Sequence, residues 1–597
     1  VGRNIFNKNS NNCNDMLKKS KEFPFRFNGN KDIYVETIPI KDDDDIILLW
    51  QVNNDKNYYK FKPYEYIFYF FNNESKGSLY FYLKEKNLIN NIYCETLNYN
   101  EDILIFCINI NFTDSGFKRK FEIIELINDY FYGYVLNKFQ DFVYNDLKSI
   151  NEIKFKFKSE ENPISYVQDI ANSINEFEIK DILYGNYRMD KISDEIKKNY
   201  KEIFKNVNTN KLIIVSSKKN KIDNFKSEKY YNIKYNVNYN FSKKILSKEL
   251  SFKNLKKKFF NVKNEFIPKN TELINNINQE HPKIITQDKL WFKSDTLFKK
   301  PKIKMAFIIT TKNIYDNISN FVKITLFINI IEILLNKDLF DASRVNYDYS
   351  FIVDKDDIKI YIEGFSENFE YYCLKVLKTL FYHNLTENKN TFLLQKNLLI
   401  KSLKNFIYNE PYTHLKDFFK EKVYKTFYNK KQCLNELKKI KFEDIKENIF
   451  GSIIKEISIK TLIQGNINEK NSIKLFHKLK DMLINTKIKI VNIDENDNRY
   501  FKNFVKLDNI YKKTEKIIYN NLDKSNFNSS IKVFFCIGYI KKNKLITPKW
   551  SKLLSLCLLI DKILNEPFFN SLRTDQQLGY IVKSFIDSIG SDRFKYY

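Results

Sequence analysis

The chain repeats itself, and that constrains its fold more than any single motif. At a spacing of roughly 230–260 residues, one order of apolar segments returns. Each copy is predicted to open on a strand, at Ile46–Val52, Lys304–Thr310 and Ile531–Gly538. A helix with apolar residues on one face follows, over Pro63–Phe71, Ile318–Leu335 and Lys549–Leu564. A shorter helical turn comes next, at Ser78–Lys86, Leu339–Arg344 and Phe568–Arg573, and then a strand, at Ile89–Thr96, Tyr347–Val353 and Leu578–Lys583. Copies one and two continue in step. Their hairpin partners are Ile103–Asn111 and Ile358–Phe365, followed by helices Phe117–Tyr134 and Glu367–Phe381. Further helices start at Pro163 and Pro411, and the closing strands are Lys211–Ser216 and Lys460–Gln464. Strands before helices, joined by hairpins, predict an α+β fold: repeated modules of mainly antiparallel sheet with helices packed on one face. The expected division is a module over 1–216, a charged Asn- and Lys-rich linker over 217–288, a second module over 289–528 and the start of a third over 529–597.

Composition narrows the function. Hydrophobic residues make up 43% and aromatic residues 16%, enough for a core in each module. The 100 Lys+Arg against 73 Asp+Glu leave a net charge of +27. Only Arg3, Arg26, Arg119, Arg188, Arg344, Arg499, Arg573 and Arg593 are arginines, so nearly all the excess is lysine. Base-reading proteins favour the planar guanidinium fork, which makes nucleic acid an unfavoured partner. The seven cysteines, Cys13, Cys94, Cys107, Cys373, Cys433, Cys536 and Cys557, stand singly with no CxxC. Reduced buried thiols are expected, and with them a reducing compartment, the cytoplasm being favoured; no targeting signal is readable. The apolar run Phe321–Leu335 contains Lys323, Asn329 and Glu332, and Leu553–Leu564 is too short to span a bilayer, so no membrane partner is expected.

Complete catalytic machinery is not readable in the chain. The four histidines are His281, His383, His414 and His477, and no two lie within four residues of each other. A catalytic zinc commonly takes two His from one helical face plus a carboxylate, and neither HExxH nor HxxEH occurs. His383 and Glu387 have helical spacing, but at a helix end, where a surface pair is the expected arrangement. No GxSxG elbow, no cysteine with a sequence-adjacent histidine and no glycine-rich phosphate loop is present.

One stretch carries a specific signature: Glu566-Pro567-Phe568-Phe569-Asn570-Ser571-Leu572-Arg573-Thr574-Asp575-Gln576-Gln577-Leu578-Gly579-Tyr580-Ile581-Val582. It resembles the C-terminal half of the insulinase-like (M16) zinc metallopeptidases of the insulin-degrading-enzyme type. Asn264-Glu265-Phe266-Ile267-Pro268 and Lys289-Leu290-Trp291-Phe292-Lys293-Ser294-Asp295 resemble the lead-in to the third domain of that family. Pro301-Lys302-Ile303-Lys304 resembles its first strand and Thr461-Leu462-Ile463-Gln464-Gly465-Asn466 its closing strand. Gly77-Ser78-Leu79 with Leu83-Lys84 resembles the second domain. The likeness runs in register with domains two, three and the start of four.

The resemblance implies a zinc metalloendopeptidase of four homologous α+β domains whose halves close around an unfolded peptide. Zinc would sit in domain one, held by an inverted HxxEH and a further glutamate; this chain has no counterpart of that domain and would bind no zinc itself. The catalytic domain is expected upstream in cis, with HxxEH within roughly 200 residues of Val1, a typical domain length. The alternatives are a non-catalytic M16-like subunit whose active partner acts in trans, and a basic scaffold or nucleic-acid binder on the same fold. By resemblance Arg573 contacts the substrate backbone near the scissile bond. By the same resemblance Tyr580 would donate a hydrogen bond to the oxyanion. An edge strand anchors the substrate's N-terminus by β-addition, here through Ile89, Asn91, Tyr93 and Glu95. The chain departs from the family there: Tyr93, Cys94 and Glu95 stand where the family has glycines, and Asn73-Glu74-Ser75-Lys76 lacks the family's histidine and proline.

Overall fold

The computed structural model describes residue 25 and residues 31–100, 102–204, 210–221, 224–241, 250, 252–274, 279–286, 289–354, 356–486, 488–491, 516–535, 539–541, 548–586, 589–591 and 594–596. Two sheets dominate it. The first contains β1 (Asp32–Ile38), β2 (Asp45–Asn53), β3 (Ile89–Asn98), β4 (Ile103–Phe112), β5 (Leu212–Ser216), β6 (Lys226–Ser227) and β7 (Lys234–Phe241), in the order β3-β4-β2-β5-β1-β7-β6. The second contains β8 (Lys283–Ile284), β9 (Leu290–Ser294), β10 (Lys302–Thr310), β11 (Asp348–Val353), β12 (Asp357–Phe365) and β13 (Glu456–Gly465), in the order β11-β12-β10-β13-β9-β8. A short β14 (Lys489–Ile490) pairs with β13.

The two orders are the same order. Reading from the hairpin edge, β3-β4-β2-β5-β1 matches β11-β12-β10-β13-β9 strand for strand. Both modules carry a parallel pair at the matching place, β1 with β5 and β9 with β13, while the strands on the hairpin side run antiparallel. The repeat seen in the sequence is therefore a repeat of topology. The expected strands missed β1, because its parallel partner lies far along the chain and no turn announces the pairing.

Local chemistry sets the element ends. Ser78 Oγ accepts from Phe81 N–H at 3.0 Å and starts the helix Leu79–Glu85. Pro163 and Pro411 occupy the first helical positions of Pro163–Glu176 and Pro411–Val423, where a missing N–H costs nothing. Asn317 Oδ1 accepts from Asn320 N–H at 2.8 Å and starts Ile318–Ser343. That helix was expected as two segments. It runs unbroken because Ile324, Ile328, Ile331, Leu335, Leu339 and Ala342 keep a buried stripe through the polar Asn336-Lys337-Asp338. It is long and apolar enough to cross a membrane by length and composition, but those residues pack in the core of the second module.

Part of the stretch 217–288, expected as a linker, is built into the sheets. β7 pairs antiparallel with β1, and β8 with β9. The alternation of Tyr235, Val237 and Tyr239 with polar residues suits a half-covered outer strand despite the high charge.

The modules are tied by a buried asparagine. Asn264 N–H donates to Asp146 Oδ2 at 2.8 Å on the helix Asp141–Lys156 of the first module. Its Nδ2 donates to Asp341 O at 2.7 Å on the long helix of the second, and its Oδ1 accepts from Phe266 N–H at 2.9 Å. Burial raises the Asp146 carboxyl above the ordinary range, and the Asn264 N–H bond opposes that shift. Beside it the Arg344 guanidinium lies 4.1 Å from the Tyr69 ring centroid, second module over first. On another side Asp44 accepts from Ser217 Oγ and Lys219 Nζ, both at 2.5 Å, and pairs with Lys401 Nζ at 3.5 Å.

The third copy differs from expectation. Its helix forms, over Pro548–Phe569. Neither 531–535 nor Leu578–Lys583 is a strand, and Cys536–Gly538 lie outside the described residues. A strand exists only through ladder partners, and the two segments do not pair with each other or with any described strand. Instead β15 (Tyr539–Lys541), β16 (Ile589–Ser591) and β17 (Phe594–Tyr596) form a small antiparallel sheet in the order β15-β17-β16.

Asn264→Ala is expected to lower unfolding stability by about 2–4 kcal/mol, because it strands the buried Asp341 carbonyl and frees the turn that presents the main-chain N–H to Asp146. Urea unfolding monitored by tryptophan fluorescence checks this; a loss under half a kcal/mol would mean the junction is held elsewhere.

Candidate peptide-binding edge and substrate-contact pair

Strand β3 is an outer strand of the first sheet, with β4 on one side only. Ile89, Asn91, Tyr93 and Glu95 all lie on it, and the ladder to β4 fixes how each stands to the edge. Cα partners run Asn91 with Asn111, Tyr93 with Asn109 and Glu95 with Cys107. The backbone of Cys94 points away from β4, because its N–H and C=O both bond the Asn72 side chain. Antiparallel pairing alternates, so Asn91, Tyr93 and Glu95 spend their backbone groups on β4. Ile92, Cys94 and Thr96 face the free edge. Ile89 precedes a register shift and is fully buried. Asn91 is exposed, Tyr93 is 44% exposed and Leu97 50%, so one face of the strand meets solvent while Ile92 and Cys94 pack into the core. Glu95 accepts from Asn109 Nδ2 at 3.0 Å. Period-two alternation located the strand but left two phases open, and only the observed ladder chooses between them.

The loop before β3 is pinned on both sides. Asn73 Oδ1 accepts from Ser75 N–H at 2.9 Å and Ser75 Oγ at 2.6 Å. Gly77 has φ +93°, and a Cβ there would lie 2.6 Å from Phe260 O, so only glycine fits. Across the module boundary Asn336 Nδ2 donates to Glu74 Oε2 at 3.1 Å and Lys76 N–H to Lys337 O at 3.3 Å. Lys84 bonds Tyr80 beneath this loop; burial pulls its pKa down to about 8 against the opposing pull of Glu74.

Arg573 and Tyr580 come together at the other end of the chain. The helix Pro548–Phe569 runs into a wider turn, Asn570–Asp575, closed by Gln576 N–H to Ser571 O at 3.0 Å and Leu578 N–H to Leu572 O at 2.9 Å. Gln577 turns back at φ +51°. The Arg573 guanidinium carbon then lies 4.0 Å from the Tyr580 ring centroid, a cation–π contact. Tyr580 is 85% exposed, and the apolar Leu558, Leu559, Ile563 and Leu564 of the helix are exposed as well.

The histidines do not converge. His414 is buried with Nε2 2.9 Å from Phe406 O, and His383 Nε2 lies 2.9 Å from Asn388 Oδ1. The helix before His383 ends at Tyr382, so His383 and Glu387 do not share a helical face. No group of three or more His, Cys, Asp or Glu side chains among the described residues could hold a metal, so the zinc implied by resemblance finds no fitting ligand set in them. Cys94, Cys107, Cys373, Cys433 and Cys557 are free and buried, and burial pushes the Cys107 thiol up to about 12, far from a nucleophile's range.

Two α+β modules sharing one strand order, followed by the signature helix and turn, have the architecture of a pitrilysin-type peptidase. The structure of pitrilysin matches over 95% of this chain and 58% of that one, with a TM-score of 0.57 at 16% identity. Residues 155–436 match the middle or third domain of peptidase M16, and residues 559–593 match the C-terminal lobe domain 4 of PQQ synthase PqqF-like proteins. The insulin-degrading enzyme of Bos taurus is 23% identical over 96% of this chain and 55% of its own length. A nardilysin-like protein of Arabidopsis thaliana is 23% identical over 91% of this chain and 52% of its own. The chain is similar to M16 peptidases over nearly all of its length, and the relatives it matches include insulin-degrading enzymes. It spans about half the length of the curated relatives it matches.

The lowered lysine gives a direct test of the geometry under the loop. Lys84 is expected to titrate near pH 8 rather than at the ordinary value, read from its ¹³Cε shift in lysine-labelled protein. Because the folded pKa is depressed below the unfolded one, the charged amine costs stability below about pH 8, and stability rises as pH passes upward from there. Lys84→Met is expected to flatten that rise.

Proposed function

We propose that this chain is the substrate-binding portion of an insulinase-like zinc metalloendopeptidase that degrades unfolded peptides. Its first and second modules serve as the family's second and third domains, and residues 529–597 as the start of the fourth. The zinc site belongs to an M16 domain outside the described residues, in cis or in trans. The observation that carries the reading is the exposed Arg573–Tyr580 pair within an otherwise complete family signature.

An arginine presents five donors and suits a peptide carbonyl. A tyrosine hydroxyl seven residues on can donate to an oxyanion forming on the same carbonyl. Neither is effective in bulk water, and Tyr580 is now open to it. The reading therefore requires a second half to close over this helix, and the exposed Leu558, Leu559, Ile563 and Leu564 are suited to being covered. The free edge of β3 supplies the other contact. Main-chain hydrogen bonding at Ile92 and Thr96, and at Cys94 once the Asn72 side chain is displaced, would hold an extended peptide without selecting its side chains, as a degrading enzyme needs. In this reading the chain's part in the reaction is to bind and orient the substrate and to stabilise charge on its carbonyl oxygen.

In the protein carrying the zinc domain, Tyr580→Phe is expected to lower turnover tenfold or more with folding intact, the scale of losing one oxyanion donor. Peptidase assays with matched circular dichroism check this, and unchanged turnover would sink the role. The purified chain alone is expected to show no chelator-sensitive cleavage.

A further inference from the structure

The free edge of β3 carries its own stopper. Asn72 follows the helix Pro63–Phe71, and its backbone N–H closes that helix on Phe68 O. Its side chain reaches across to the strand. Cys94 N–H donates to Asn72 Oδ1 at 2.6 Å, and Asn72 Nδ2 donates to Cys94 O at 3.1 Å. The orientation of the amide is fixed by chemistry, since the backbone N–H can only donate and the carbonyl can only accept. The carboxamide thus makes with Cys94 the same two bonds that a residue of an added strand would make.

Cys94 is the middle of the three residues that face the edge, so the occupied position interrupts the row. A peptide could bond Ile92 or Thr96 with Asn72 in place, but could not run straight past both. The side chain is also held from behind. Asn73 and Ser75 lock the turn that follows it, and Glu74 and Lys76 fasten that turn to Asn336 and Lys337 of the long second-module helix.

We propose that Asn72 is an intramolecular competitor for the β3 edge: an extended peptide adds to the strand only by displacing the Asn72 carboxamide from Cys94, and this residue sets the affinity of the edge for peptide backbone. The proposal rests on reading β3 as the substrate-anchoring edge. Two bonds to Cys94 are exchanged for two, so displacement is close to balanced, and the flanking bonds at Ile92 and Thr96 supply the gain. Short or poorly extended peptides that cannot reach both flanks are turned away.

The test separates the competitor from the edge itself. A fluorescein-labelled peptide of alternating valine and threonine flanked by glutamates is titrated by anisotropy against wild type, Asn72→Ala, Asn72→Asp and Thr96→Pro. Asn72→Ala is expected to tighten binding about fivefold to tenfold, the size of roughly one net hydrogen bond. It should also speed exchange of the Cys94 amide. Asn72→Asp keeps the acceptor and loses the donor, so its affinity should fall between the two. Thr96→Pro removes an outward N–H without touching the ladder to β4 and should abolish binding. Unchanged or weaker binding in both Asn72 variants, with Thr96→Pro still abolishing it, would overturn the competitor and leave the edge standing. Binding that survives Thr96→Pro would overturn the edge reading and the competitor together. Thermal unfolding of each variant supplies the folding control, and a change in Tm with no change in affinity counts against the proposal.

Discussion

Asn264 is the interaction on which the relation of the two modules depends. Three of its polar atoms are used, one toward each module and one to its own turn. A buried amide can meet those demands in only one relative position of the helices that supply Asp146 and Asp341. The motif Asn264-Glu265-Phe266-Ile267-Pro268 therefore marks more than the lead-in to a domain. Phe266 packs beside Tyr347 and Tyr372, so the same short segment inserts an aromatic plug into the second core. The Asp44 cluster repeats the arrangement on another side, with a buried carboxylate facing lysines of both modules. Two such ties bond the two modules together at separate places.

This bonding between modules bears on the edge strand. The loop carrying Asn72 is fastened to the second module through Glu74 and Lys76, so the state of the β3 edge is not a private matter of the first module. The departures from the family at Tyr93, Cys94 and Glu95 take on a physical meaning here. Glycines leave an edge bare, whereas the buried Cys94 and the half-exposed Tyr93 give the strand a fixed side up and make its outward backbone groups a defined set.

Much of the fold was legible because periodicity and turn chemistry are local. Pro63–Phe71 begins and ends where the apolar spacing and the proline predict, and the hairpin β3–β4 follows from alternation around Asn98 to Asn100. What escaped was non-local. β1 and β9 are strands by virtue of parallel partners far away, and β7 looked like linker because its lysine and asparagines face water. The third copy failed in the opposite sense: Leu578–Lys583 has strand propensity and no ladder to join among the described residues. For the site, the signature pointed to Arg573 and Tyr580, and the structure gives their mutual contact. No local sequence cue revealed which alternate residues of β3 face the edge, since that phase is set by β4.

The parallel pair β1–β5 has a consequence for how the chain is made. β1 lies between β5 and β7, and Ile33 must wait for Leu212, about 180 residues later in synthesis. Until then the emerging hairpin and its helices hold a sheet with an open seam down one side. The duplicated module sets the same delay a second time, with β9 waiting for β13. A ribosome would thus carry two unfinished sheets in succession, each with an apolar seam exposed to whatever else is nearby.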